Sequence, residues 1–191
     1  MTCIVGIVHN NRVYIGGDSA AVGGLSIVAR NDRKVFVTGD FVMGFTSSFR
    51  MGQLLAFGFN PPKPRVGDDI MSYMVGDFID AARARMKAGG FAKVVNGEDQ
   101  GGTFLVGYKG RLFVVHGDFQ VGESIHGYDA VGCGDDIALG ALSASKGMAP
   151  RLRINQALKA AETHSAGVRA PFHIVDGAQA DADPTRNRRR R

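Results

Sequence analysis

Two short apolar runs joined by a two-asparagine turn constrain this chain more than any other feature. Ile4-Val5-Gly6-Ile7-Val8 leads into the polar stretch His9-Asn10-Asn11-Arg12, and Val13-Tyr14-Ile15-Gly16-Gly17 follows, ending on Asp18. Runs of this length, rich in β-branched residues and separated by a tight polar turn, read as a β-hairpin. After a glycine-bearing segment, Lys34-Val35-Phe36-Val37 opens another strand; Thr38-Gly39-Asp40 turns it and Phe41-Val42-Met43-Gly44-Phe45 returns. Strand ends gather at one edge of an antiparallel sheet, so Thr2, Asp18 and Lys34 can converge there.

These three residue types make chemical sense as a group. A Thr at a free N-terminus supplies both a hydroxyl nucleophile and an α-amine to activate it. Such an amine titrates near about 7.7–8.0, which suits a base working around neutrality. A neighbouring ammonium, that of Lys34, disfavours protonation of the amine and lowers its pKa. Asp18 can hold the lysine and balance its charge. Taken singly, each residue is ordinary: Thr follows Met in many chains, Asp ends strands, and Lys at a strand start is usually solvated.

Their spacing is more specific. Thr2 to Asp18 is sixteen positions (18 − 2) and Thr2 to Lys34 is thirty-two (34 − 2). With the Thr-x-Ile-Val start and the Gly16-Gly17-Asp18-Ser19 segment, the chain resembles the proteasome β-subunit family and its bacterial ATP-dependent relatives. These are N-terminal nucleophile hydrolases whose catalytic Thr, Asp and Lys stand at those intervals. Ala130-Val131-Gly132-Cys133-Gly134, followed by Ile137-Ala138-Leu139-Gly140-Ala141, looks like the family's Gly-Ser-Gly turn and helix, with Cys133 where the family has an active-site Ser. The resemblance runs from Thr2 to about Val175.

The remaining elements follow from local pattern. Thr46-Ser47-Ser48 offers hydroxyls at the start of a helix, Phe49 to Leu55. By the resemblance, this junction supplies an oxyanion-hole amide from Ser47 or Ser48, although the family typically has Gly nearby. Backbone amides at a helix start suit an oxyanion whatever the side chain, and a plain Ser N-cap is the alternative. Asn60-Pro61-Pro62-Lys63-Pro64-Arg65 breaks the helix. A longer amphipathic helix begins at Asp68 or Asp69, with Ile70, Met74, Phe78, Ile79 and Ala82 on one face, and Gly89-Gly90 stops it. Ala92 to Gln100 reads as a polar, exposed connector. A second β block covers Thr103 to Tyr108 and Arg111 to His116, with short strands at Phe119 to Val121 and Tyr128 to Val131. Two helices, Asp135 to Ser145 and about Arg151 to Ser165, precede a last strand, Phe172 to Val175. This order suits two antiparallel sheets with helices outside. The resemblance alone implies an α+β fold stacked as a four-layer αββα sandwich.

Two stretches depart from the family. Its Asp-x-x-Ser-Gly turn after the last long helix is matched by Thr163-His164-Ser165-Ala166-Gly167, so Glu162, His164 or Ser165 would have to take over by a small shift. Cys133 brings a thiol, a weak hydrogen-bonding group, that supports the Thr2 amine poorly. Burial as a structural cysteine is its expected fate.

Composition excludes several function classes. The net charge of +5 is matched by Arg186, Arg188, Arg189, Arg190 and Arg191 alone. The body is thus close to neutral and no general nucleic-acid surface is indicated. Residues 1–177 read as one proteasome-like hydrolase domain and residues 178–191 as a disordered Arg-rich tail. Such a tail can contact nucleic acid or an acidic surface, or be a solvated terminus. No apolar run approaches the roughly 20 residues of a membrane span and no signal sequence opens the chain, so a cytoplasmic protein with reduced Cys3 and Cys133 is expected. His9, His116, His126 and His173 show no metal spacing. There is neither a nucleophile elbow nor a nucleotide fingerprint, and no cofactor is expected.

The resemblance implies a threonine-type endopeptidase. Met1 is removed with no propeptide to process, Thr2 attacks a peptide or unfolded protein substrate, the chains form a homo-oligomeric ring, and a separate ATP-dependent unfoldase feeds it. Two alternatives stay open: a catalytically silent assembly subunit of the same family, and a hydrolase of the same fold acting on a small amide.

Overall fold

Alternation along the strands explains the architecture, because most strands are apolar on both faces. The structure is a computed structural model and describes residues 1–91 and 93–177. The Arg-rich segment lies outside the described residues. One sheet orders its strands β12-β1-β2-β13, where β1 is Cys3–His9, β2 Arg12–Gly17, β12 Tyr128–Gly132 and β13 His173–Asp176. The other orders them β11-β10-β9-β6-β5, with β5 at Val35–Thr38, β6 at Phe41–Phe45, β9 at Phe104–Tyr108, β10 at Arg111–Val115 and β11 at Val121–Glu123. Every pairing in both sheets is antiparallel.

Three apolar cores separate four layers. Ile4, Ile15, Val35, Val42, Leu105, Leu112 and Val131 meet between the sheets. Their sequence neighbours point the other way. Cys3, Val5 and Ile7 of β1 pack under α4 (Asp135–Ala144) and α5 (Pro150–His164). Phe41, Met43 and Phe45 of β6 pack under α1 (Phe49–Ala56) and the helix that begins at Asp69. This is the four-layer αββα sandwich. Glycines let the sheets close on one another: a Cβ on Gly44 would stand 2.6 Å from Ile4 Cγ2.

Several local readings hold and others need correction. Asn10 and Asn11 both adopt positive φ, 49° and 57°, as a two-residue hairpin turn requires. The long helix is three consecutive pieces: α2 (Ile70–Tyr73), a π-helical turn (Met74–Phe78) and α3 (Ile79–Ala88). Asp69 caps it by accepting from Ser72 N at 2.9 Å. The stretch read as a connector instead forms a ribbon, β7 (Lys93–Val95) and β8 (Glu98–Gln100). Asn96 and Gly97 at its tip have φ 52° and 85°, the backbone that an Asn-Gly hairpin turn takes. The glycine-bearing segment before Lys34 likewise folds as a ribbon, β3 (Ala20–Gly23) and β4 (Ser26–Ala29). The short strand expected at Phe119 to Val121 lies further on, because Phe119, at φ 66°, belongs to the turn. No helix among the described residues is long and apolar enough to cross a membrane.

Candidate functional site

At one end of the sandwich three strand ends converge. Thr2 precedes β1, Asp18 follows β2, and Lys34 precedes β5. The first two belong to neighbouring strands and the third crosses from the opposite sheet. Lys34 Nζ donates to Asp18 Oδ1 at 2.8 Å and to Thr2 Oγ1 at 2.9 Å. All three are buried, with Lys34 and Asp18 each 1% exposed and Thr2 5%.

A buried ion pair is tolerable only when its remaining hydrogen-bonding capacity is met. Asp18 meets this through backbone amides. Its Oδ1 also accepts from Cys3 N at 3.0 Å, and its Oδ2 from Ala20 N at 2.8 Å and Arg169 N at 3.2 Å. The carboxylate therefore ties β1, the start of β3 and the loop after α5 to one point. Lys34 is pushed below its ordinary pKa by desolvation, and Asp18 opposes that shift through its charge and hydrogen bond. The result is an ammonium aimed at a hydroxyl that gives up its proton more readily than a solvated lysine.

Cys133 requires a correction. It is exposed, whereas Cys3 is the fully buried cysteine. The reason lies in the chain path: β12 ends at Gly132, which at φ 112° turns the following residue out of the sheet. The thiol then sits beside Thr2 rather than under the helices. Thr2 N donates to Cys133 Sγ at 3.3 Å, and Ser165 Oγ lies 3.4 Å from the same sulfur. Of the three residues offered for the altered turn, Ser165 is the one that reaches the site. Glu162 instead accepts from Ala170 N at 2.8 Å, bracing the loop, and His164 ends α5. Gly167 lies against Met1 and Cys133, leaving no room for a side chain. Met1 is 58% exposed and its carbonyl accepts from Thr2 Oγ1.

Ser47 and Ser48 prove distinct. Ser48 caps α1, its Oγ accepting from Arg50 N at 3.1 Å, and its own amide is spent on Thr46 O at 2.8 Å. Ser47 is exposed and holds φ 68°, a glycine-like conformation. Its hydroxyl accepts from Thr103 N at 3.1 Å, which fixes it against β9. The Ser47 amide has no partner among the described residues. Gly132 joins the neighbouring Thr46 to Thr2: a Cβ on Gly132 would overlap Thr2 O and stand 3.4 Å from Thr46 Oγ1. On the other side, Phe49 at the start of α1 has its ring centroid 5.8 Å from Lys34 Nζ. Sequence reasoning missed the Arg169 amide and Gly132's contact with Thr2. Any residue type carries an amide, so no signal marked Arg169, but the glycine of the Gly-x-Gly turn could have flagged the close approach.

No protein-family model and no curated protein sequence matches this chain. Solved structures do resemble it. BPH of Thiobacillus denitrificans in complex with epoxomicin has a TM-score of 0.76 at 17% identity, covering 94% of this chain and 100% of that one. A second structure of BPH from Thiobacillus denitrificans has a TM-score of 0.74 at 18% identity, covering 95% and 100%. Eukaryotic HslV from Trypanosoma brucei has 0.64 at 17% identity, covering 92% and 98%. At these identities the likeness establishes the fold alone, a four-layer αββα sandwich of the kind seen in BPH and HslV.

Proposed function

We propose that this chain is a threonine-type peptidase of the proteasome β-subunit kind, with Thr2 as nucleophile once Met1 has been removed. The observation that carries the reading is the buried Lys34 ammonium, held by Asp18 and pointing at the Thr2 hydroxyl. Asp18 also braces three backbone segments, but the Lys34 contact with the Thr2 hydroxyl adds nothing to that brace and suits proton chemistry at Thr2. Removal of Met1 takes away the carbonyl that now accepts from Thr2 Oγ1 and converts the Thr2 amide into an amine.

That amine takes the hydroxyl proton, through a water, as Thr2 Oγ1 bonds to the substrate's carbonyl carbon. Lys34 stabilises the oxygen as it loses its proton, and Asp18 keeps Lys34 charged and in place. The new oxyanion draws on the Ser47 amide, while Ser48 holds the helix start rigid. The C–N bond then breaks as the leaving amine receives the proton, and water releases the acyl group from Thr2. Cys133 and Ser165 orient the amine. Peptides or unfolded proteins are the substrate class, and assembly into a homo-oligomeric ring served by a separate ATP-dependent unfoldase fits the same reading.

Cys133 favours one rival. A thiol is a poor partner for an α-amine, which suits a catalytically silent assembly subunit of the same fold. Intact mass of the purified chain separates the two. Loss of Met1, with hydrolysis of peptide amides that disappears in Thr2→Ala, supports the peptidase. Full retention of Met1 in the native host overturns it and leaves the silent subunit. Epoxomicin serves as an independent probe, since it is bound in a solved relative in fold. It is expected to raise the melting temperature of the Met1-free chain and not that of Thr2→Ala.

A further inference from the structure

Next to Thr2 the two sheets part at their edge, and a cavity of about 550 Å³ opens between them. Thr46, Ser47 and Gly132 line it, and Gly132 packs directly on the Thr2 carbonyl. His116, Asp129 and Asp135 line it too, with Val114 and Val131. We propose that this cavity is a substrate subsite for a lysine or arginine side chain close to the scissile bond, with Asp129 and Asp135 as the specificity-determining residues. The proposal rests on the peptidase reading above and names its substrate preference.

Four observations support it. The volume falls in the ordinary range for ligand pockets, about 300–1,000 Å³. No Lys or Arg lines the cavity, and neither carboxylate belongs to a salt bridge among the described residues. Asp129 accepts only from Ala130 N, at 2.8 Å, and Asp135 from Asp136 N, at 2.9 Å. Burial raises the Asp129 carboxyl above its ordinary pKa, with the Asp135 charge adding to the rise and His116 opposing it. A guest cation restores the ionised form that burial disfavours. Val114 and Val131 suit the aliphatic stem of a long basic side chain. An acidic guest meets two carboxylates and no fixed cation.

The test uses the Met1-free full chain and a peptide mixture varied at every position, with cleavage products read by mass spectrometry. Lys and Arg are expected to be enriched at one position beside the cut. In the Asp129→Asn/Asp135→Asn double variant that enrichment should fall by about tenfold, equivalent to about 1.4 kcal/mol, while Asp129→Lys should turn it toward Glu and Asp. Cleavage without basic enrichment, or enrichment untouched by both variants, overturns the subsite and leaves the peptidase reading standing. If no peptide is cut at all, the peptidase reading fails and the cavity is judged separately by calorimetry of Thr2→Ala with an arginine-containing peptide amide. Binding that Asp129→Asn weakens supports the subsite; no binding, or binding indifferent to that change, overturns it.

Discussion

The two helical layers are built from different material. Over the second sheet the space is filled by large side chains, Phe41, Phe45, Phe59, Tyr73, Phe78, Phe104, Tyr108 and Phe113 with Met43, Met51, Met74 and Met86. Their rings stack and cross, as Phe41 on Tyr108 at 4.5 Å and Phe59 on Phe78 at 5.3 Å between centroids. Over the first sheet small residues, Cys3, Ala130, Ala138, Ala157 and Ala161, mix with aliphatic ones such as Ile7, Leu142, Ile154 and Leu158. There α4 and α5 sit close on the strands, and a Cβ on Gly134 would meet that of Ala161 at 2.9 Å and that of Cys3 at 3.2 Å. Thr2 and Asp18 flank strands of this first sheet. The layer beside Thr2 is thus closely packed by small and aliphatic residues, and the opposite layer is filled by aromatic and methionine side chains.

That contrast can be broken by mutation. Phe78→Ala empties a fully buried ring position in the aromatic layer and is expected to lose about 3–5 kcal/mol of stability. Denaturant titration measures the loss. Peptide hydrolysis per folded molecule should stay unchanged, and a parallel collapse of activity would show that the aromatic layer also sets the site. Lys34→Met removes one partner of a buried pair, a change of about 3 kcal/mol or somewhat more, moderated because Asp18 keeps its three backbone donors. It should abolish hydrolysis.

The same variant carries a pH signature. Folding holds Lys34 below its ordinary 10.5, so between the lowered value and 10.5 the unfolded chain binds a proton that the folded chain does not. Stability contributed at this position therefore rises with pH across that window and is lost as pH falls through the folded value. Unfolding midpoints measured from neutral to alkaline pH should rise less steeply in Lys34→Met than in the parent.

Gly16→Ala probes the tight layer with a single methyl. The new Cβ would overlap Ile154 Cγ2 of α5, and overpacking of this kind is expected to lose about 1–3 kcal/mol. Because Gly16 lies two residues before Asp18, hydrolysis per folded molecule should fall along with stability, opposite to Phe78→Ala. Ser165→Ala is the mildest change. It removes contacts of 3.4 Å to Cys133 and should shift stability by less than about 0.5 kcal/mol, with only a few-fold change in rate. A larger loss would make Ser165 a principal orienter of the Thr2 amine.

The strands, helices and hairpin turns were legible because their signals are local. Asn10-Asn11 carries its turn type in two residues, and Asp69 marks a helix start within four. Asn96-Gly97 carries a local turn signal of the same kind, set in polar surroundings that read as an exposed connector. Thr2, Asp18 and Lys34 stood out because their intervals resemble those of the proteasome β-subunit family. Sequence by itself determined which groups could meet. Only the tertiary structure decided how they meet: that the Ser48 amide is spent on Thr46 while that of Ser47 has no partner among the described residues, that Cys133 faces Thr2 instead of the core, that Ser165 rather than Glu162 reaches the site, and that Asp129 and Asp135 share a cavity. Each of these depends on contacts between segments far apart in the chain, such as Thr2 N on Cys133 Sγ across 131 positions. No local preference encodes such contacts, because the packing of two sheets and two helical layers sets them all at once.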